Sequence, residues 1–191
     1  MPKIEATGIK ISDETIKKYE NILPAELIGI WKEYGCCTML DGYLRVIAPD
    51  DYRELVNDTF YYAENNIPIM VTAFGDVISI LLDAEYNIDI VQYRNGSFGA
   101  VSDCFDMFFT EDMESKFFQN EIAHFDIPQY KEAVKKLGSP AHDECFGYVP
   151  LLELGIVIGG SKNVEYLQKV KTIEHIKMIT QLKGKIGTWY I

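Results

Sequence analysis

Four adjacent side chains, His142, Asp143, Glu144 and Cys145, could between them ligate a metal, move a proton or supply a thiolate. Consecutive residues rarely converge on one ion, however. The other two histidines, His124 and His175, add neither an H-x-x-x-H pair nor a Cys/His zinc spacing. No metal and no cofactor are therefore expected. Gly155-Ile-Val-Ile-Gly-Gly160-Ser161-Lys162 has the glycines of a phosphate-binding loop but ends Gly-Ser-Lys. The loop needs Gly-Lys-Ser/Thr, so that the lysine reaches the phosphates and the hydroxyl meets the magnesium. The expected reading is a glycine turn. A G-x-S-x-G elbow is missing as well, and no electropositive niche for a poised cysteine is visible. No catalytic residue is assigned. A small-molecule enzyme with a site near His142–Cys145 stays open as an alternative, because titratable groups are dense there beside an apolar segment.

The stronger signal is one of association. Asp103, Asp106, Glu111, Asp112 and Glu114 are interleaved with Phe105, Phe108, Phe109, Phe117 and Phe118. Carboxylates beside aromatics can pair with basic groups while the rings serve as anchors. The plainer reading sends each Phe to the core and leaves the acids in water.

Charge supports a binding role. The 191 residues carry 18 Lys and Arg against 29 Asp and Glu, a formal net charge of −11. Residues 1–40 carry a net −1, residues 41–126 a net −13, and residues 127–191 a net +3. Such a chain is a poor ligand for a phosphate backbone, whose affinity comes from Lys and Arg displacing counterions. A basic protein partner fits the field better. Hydrophobic residues make up 48% and charged residues 25%, as in ordinary folded domains, which argues against disorder. The N-terminus shows no apolar signal region, and no run approaches the 18 or so apolar residues that span a membrane. Cys36, Cys37, Cys104 and Cys145 form no C-x-x-C pair, so reduced thiols in a cytoplasmic protein are expected.

The elements that would carry these residues follow from periodicity and punctuation. A helix is predicted over Asp13–Ile22, capped by Ser12 or Asp13, and another from Pro24 to Gly35 with Leu27, Ile30, Trp31 and Tyr34 on one face. A strand over Tyr43–Ala48 leads into a helix begun by Pro49-Asp50-Asp51 and running to about Phe60. Three β-rich runs follow, Ile67–Phe74, Val77–Leu82 and Tyr86–Tyr93, with turns at Gly75-Asp76, Asp83–Glu85 and Asn95-Gly96. A strand or short helix covers Phe105–Phe109. Helices are predicted over Ile127–Leu137 and from a Thr172 cap to Lys183, the latter with Ile173, Ile176, Ile179 and Leu182 along one side. Short buried strands and turns are expected over Cys145–Ile158. The fold class is α+β: N-terminal helices packed on an antiparallel sheet, followed by a smaller α+β unit from about residue 111.

Two stretches carry a family resemblance. Leu23-Pro-Ala-Glu-Leu-Ile-Gly-Ile-Trp-Lys-Glu-Tyr-Gly35, then Gly42-Tyr-Leu-Arg-Val-Ile-Ala-Pro-Asp-Asp-Tyr52 and Phe74-Gly75-Asp76, resemble the GAD-like domain. Asp143-Glu-Cys-Phe-Gly-Tyr-Val-Pro-Leu-Leu-Glu-Leu-Gly155, and Asn163 through Leu182 with Leu167-Gln-Lys-Val170, resemble the C-terminal domain of type VI secretion DNase immunity proteins, and more loosely the SUKH-like immunity group. The resemblance implies a GAD-like domain over 1–110 and an immunity domain over 111–191. It implies a non-enzymatic bacterial cytoplasmic protein that binds and neutralises a cognate toxin, often a nuclease. It transfers no catalytic residue. The partner would be a basic protein toxin, with no direct nucleic-acid or membrane contact. The acidic residues Asp103, Asp106, Glu111, Asp112 and Glu114 are the expected contact. A regulatory or scaffold module is the remaining alternative.

Overall fold

The computed structural model describes residues 2–82, 86–120, 125–151 and 163–189. Its chain order opens with β1 (Glu5–Ile9), α1 (Asp13–Tyr19), α2 (Ala25–Tyr34), β2 (Cys36–Met39), β3 (Leu44–Val46) and α3 (Pro49–Thr59). The meander β4 (Asn66–Thr72), β5 (Val77–Leu81), β6 (Ile88–Gln92) and β7 (Ser97–Ser102) follows. Then come α4 (Phe105–Thr110), α5 (Lys116–Asn120), α6 (Ile127–Leu137), β8 (Glu144–Tyr148), β9 (Leu167–Lys171), α7 (Thr172–Lys183) and β10 (Thr188–Trp189). The large sheet runs in the order β1-β2-β3-β4-β5-β6-β7-β10, antiparallel throughout except where β10 joins β7 in parallel. β8 and β9 form a separate antiparallel pair. The α+β expectation and the antiparallel meander are thereby met.

Alternation divides the sheet's two faces. Met70, Ile78 and Ile90 lie in register and enter one apolar cluster. Val71, Val77, Val91 and Phe98 lie in register and enter another. The first cluster takes Ile16, Tyr19, Leu27, Ile28 and Trp31 of the N-terminal helices, and also Phe108, Phe125, Tyr130 and Phe146. The second takes Tyr52, Leu55 and Val56 of α3 and Ile176 and Ile179 of α7. Because both faces are covered, the central strands are buried at nearly every position. All seven residues of β4 are buried.

Helix ends follow local chemistry. Ser12 Oγ accepts from the Thr15 N–H at 3.1 Å and caps α1. Gly35 closes α2 at φ +65, where a Cβ would sit 2.3 Å from the Ile9 carbonyl oxygen. Only glycine fits there. Several expectations need adjusting. Pro24 is the cap of α2 and not its first residue, because its ψ of 139 is still extended. α1 stops at Tyr19, so Ile22 lies outside it and is exposed. Thr172 is the first residue of α7 and Lys171 its cap. Leu182, expected on the buried side, is 60% exposed. β1, β2 and β7 were not anticipated as strands. Phe105–Phe109, expected as a strand or a short helix, is the helix. The turn at Asp83–Glu85, His124 and the Gly155–Lys162 loop lie outside the described residues.

Candidate functional site

The acidic segment begins where β7 ends. Cys104 caps α4, its Sγ accepting from the Met107 N–H at 3.5 Å. One turn and a half of helix then sorts the side chains. Phe105, Phe108 and Phe109 are buried, with the Phe105 and Phe109 rings 5.1 Å apart and Phe108 edge-on to Phe125 at 6.5 Å. Met113 is fully buried in the following 3-10 turn. Phe118 is half-buried against Phe125, and the Phe117 side chain lies outside the described residues. Asp103, Asp106, Glu111 and Glu114 are exposed, and Asp112 is half-buried. Asp103, Asp106, Glu111 and Asp112 have no ion-pair partner among the described residues. The segment is thus a carboxylate face with its described aromatics turned inward or half-buried. Its exposed apolar side chain is Met107, at 36%.

Two arginines are structural. Arg45 of β3 is 2% exposed. Its Nη1 donates to the carbonyl oxygens of Ala141 (2.7 Å), His142 (3.2 Å) and Glu144, and its Nη2 to that of Thr72 (2.9 Å). Burial pulls its pKa down. Arg94, beside the β6–β7 turn, donates from Nε to Asp76 Oδ2 at 2.9 Å and lies 3.7 Å from Asp126 Oδ2. Its guanidinium sits 4.3 Å above the Phe74 ring. Burial disfavours this charge, but Asp76, Tyr43 and Asp126 outweigh that and its pKa is raised. Of the four bases in residues 41–126, only Arg53 and Lys116 remain near the surface. Sequence reasoning missed this pair of clamps, because nothing local distinguishes a buried arginine from a solvated one.

The His142–Cys145 tetrad does not converge. Asp143 is exposed and pairs with Lys171 at 2.6 Å. Glu144 Oε2 accepts from the Ala141 N–H at 3.0 Å. His142 is half-buried, and burial followed by the Arg45 charge lowers its pKa. Cys145 is fully buried, and burial pushes its thiol up to about 12, so it is held as the unreactive thiol. All four cysteines are free. Among the described residues no group of three or more His, Cys, Asp and Glu is placed to hold a metal ion. No described helix is long and apolar enough to cross a membrane. A groove of about 300 Å³ lies between β8–β9 and α7, lined by Val149, Leu151, Met178 and Leu182, with His175 and Glu174 at its side.

Comparison with known proteins bears on the family and the fold. A search of curated proteins finds no match. Among solved structures, the crystal structure of Atu4351 from Agrobacterium tumefaciens is similar in fold, with a TM-score of 0.66 at 14% identity, over 93% of this chain and 84% of that one. Residues 3–93 match the family model of the GAD-like domain. Residues 102–183 match that of the type VI secretion system (T6SS) immunity protein Tdi1, C-terminal. The two matches stand in the expected order and leave only short stretches unassigned. Residues 3–93 are thus similar to a GAD-like domain and residues 102–183 to the Tdi1 C-terminal region, which supports a role in type VI secretion immunity.

Proposed function

We propose that this protein binds and neutralises a cognate nuclease effector of a type VI or related contact-dependent system, acting by occlusion and not by catalysis. The ordered pair of family matches carries the reading. The surface charge supports its mechanism. A DNase needs a basic surface for its substrate, and a strongly acidic protein can occupy that surface and exclude DNA. The exposed carboxylates Asp103, Asp106, Glu111 and Glu114, with half-buried Asp112, are the proposed contact. The protein meets the incoming toxin in the cytoplasm and touches neither nucleic acid nor membrane itself. The chain divides, on this reading, near residue 110 into the GAD-like and immunity segments.

Co-expression tests the function. Cells making the toxin encoded beside this gene should survive only when this chain is also made, and the purified proteins should co-elute. Continued killing together with no association would end the proposal. The contact is tested separately. Replacing Asp103, Asp106, Glu111, Asp112 and Glu114 by their amides should slow association more than replacing Glu5, Asp13, Glu14, Glu20 and Glu26. Equal slowing would mean a diffuse net-charge effect.

A further inference from the structure

Among its described aromatics the acidic segment supplies no exposed anchor, because Phe105, Phe108 and Phe109 point into the core and Phe118 is half-buried. Tight protein interfaces usually carry a few large, desolvated anchors, with Tyr, Trp and Arg enriched among them. Among the described residues the large aromatics that stay exposed are Tyr61 at 68%, Tyr62 at 58% and Tyr166 at 44%. Two of these three are neighbours, at the end of α3.

Both rings are held from below. The Tyr61 N–H donates to the Ile186 carbonyl at 3.0 Å, and the Ile186 N–H to that of Thr59 at 2.8 Å, so the backbone here is stitched to the strand approaching β10. The Tyr61 ring lies over Gly187, where an added Cβ would meet its Cδ2 at 2.7 Å. The Tyr62 ring packs on Phe98 at 5.1 Å and edge-on to Phe60 at 5.7 Å. Neither hydroxyl has a hydrogen-bond partner among the described residues. Two side chains with few rotors, already seated, lose little freedom on binding.

The surroundings set the partner's charge. Glu54 and Asp58 lie one turn apart on the exposed face of α3, and Glu64 is exposed just beyond Tyr62. None of the three has an ion-pair partner among the described residues. The nearby cations are turned to backbone carbonyls instead. Arg53 donates to those of Asn66 (2.7 Å) and Glu64 (3.3 Å), and Lys185 to that of Asn57 (2.9 Å). Two exposed tyrosines on a stretch of chain with three exposed, unpaired carboxylates match one side chain best. The arginine guanidinium stacks on a tyrosine ring and forks onto a carboxylate. We infer that Tyr61 and Tyr62, with Glu54, Asp58 and Glu64, form the anchoring surface for an arginine-bearing basic face of the toxin. This deepens the immunity reading and rests on it.

The test is surface-bound kinetics of the full chain with the catalytically inactivated toxin encoded beside it. Tyr61→Ala and Tyr62→Ala should each weaken binding about tenfold or more, mainly through faster dissociation. Tyr61→Phe should stay within about twofold, since the ring and not the hydroxyl does the stacking. Tyr166→Ala should bind as the unmodified protein does. Glu54→Gln, Asp58→Asn and Glu64→Gln together should slow association. If the unmodified chain binds while both alanine variants, folded by thermal melt, bind equally well, this surface is refuted and the immunity reading stands. If the unmodified chain does not bind, both fall. A homodimer that Tyr61→Ala disperses would assign the face to a second copy and also overturn the inference.

Discussion

Replacing Arg94 by Met should cost this protein much of its stability without touching its surface. The guanidinium is 3% exposed, and its carboxylate partners Asp76 and Asp126 are 0% and 9% exposed at the side chain. Met keeps much of the apolar stem but removes the charge, leaving two carboxylates in the interior without a cation. Removing one member of a buried pair costs about 3–5 kcal/mol, and here two carboxylates lose their arginine. The contact with the Phe74 ring at 4.3 Å is lost too. We expect about 4 kcal/mol or more, against a total of roughly 5–15 kcal/mol for a typical domain. At about 2–4 °C per kcal/mol for a chain of this size, the melting temperature should fall by about 10 °C. The loss should shrink on acidification. Losing the buried cation makes each carboxylate harder to keep ionised, so the variant's folded state takes up protons more readily and gains relative stability as pH falls. Urea melts at pH 7 and pH 5 measure both effects. Asp76→Asn and Asp126→Asn added to Arg94→Met should recover part of the loss, because the charges needing compensation are gone. A shift under 2 °C, or a triple variant worse than the single one, would show that the buried charges are not what holds this junction.

The thiols and His142 offer two further checks. In the native protein a thiol reagent should find one reactive cysteine, half-exposed Cys104, while Cys36, Cys37 and Cys145 are buried and burial pushes the Cys37 and Cys145 thiols up to about 12; four should react after unfolding. Rapid loss of two or more native thiols would contradict this burial. His142 has a folded pKa below its usual 6.5, so the unfolded chain binds its proton first as pH falls. Its stabilising contribution is present above that value and is lost as pH drops through the folded pKa. His142→Gln should therefore flatten the fall in stability below about pH 6.5, and an NMR titration of His142 at or above 6.5 would refute the assignment.

Helices whose ends are marked by backbone chemistry were readable from the chain alone. α6 runs over the predicted Ile127–Leu137, with Pro128 in its first turn and Gly138 at φ +73 beyond it. α3 begins at Pro49 for the same reason. The sorting of the acidic segment was readable too, since helical spacing alone sends Phe105, Phe108 and Phe109 one way and Asp106 the other. β1 was not. All five of its residues are exposed, so the alternation that betrays a half-buried strand is missing. Its existence depends on Cys36–Thr38 arriving some thirty positions later with free backbone groups. The two arginine clamps were hidden for a related reason. Arg45 is buried by carbonyls near residues 141–144, and Arg94 by a carboxylate 32 positions away that sits at a left-handed φ of +52. Burial of this kind belongs to pairs of distant segments, and no window of sequence contains both. It also changes what composition means for function. A tally of charge counts Arg45 and Arg94 with the acidic middle of the chain, yet neither is at the surface to pair with its exposed carboxylates. The same fold withdraws Asp76, Asp89 and Asp126 from the surface. Between residues 41 and 126 the described surface keeps eleven carboxylates against Arg53 and Lys116. A basic partner in contact meets that surface ratio, so the carboxylates open to pairing are a product of the fold as much as of the sequence.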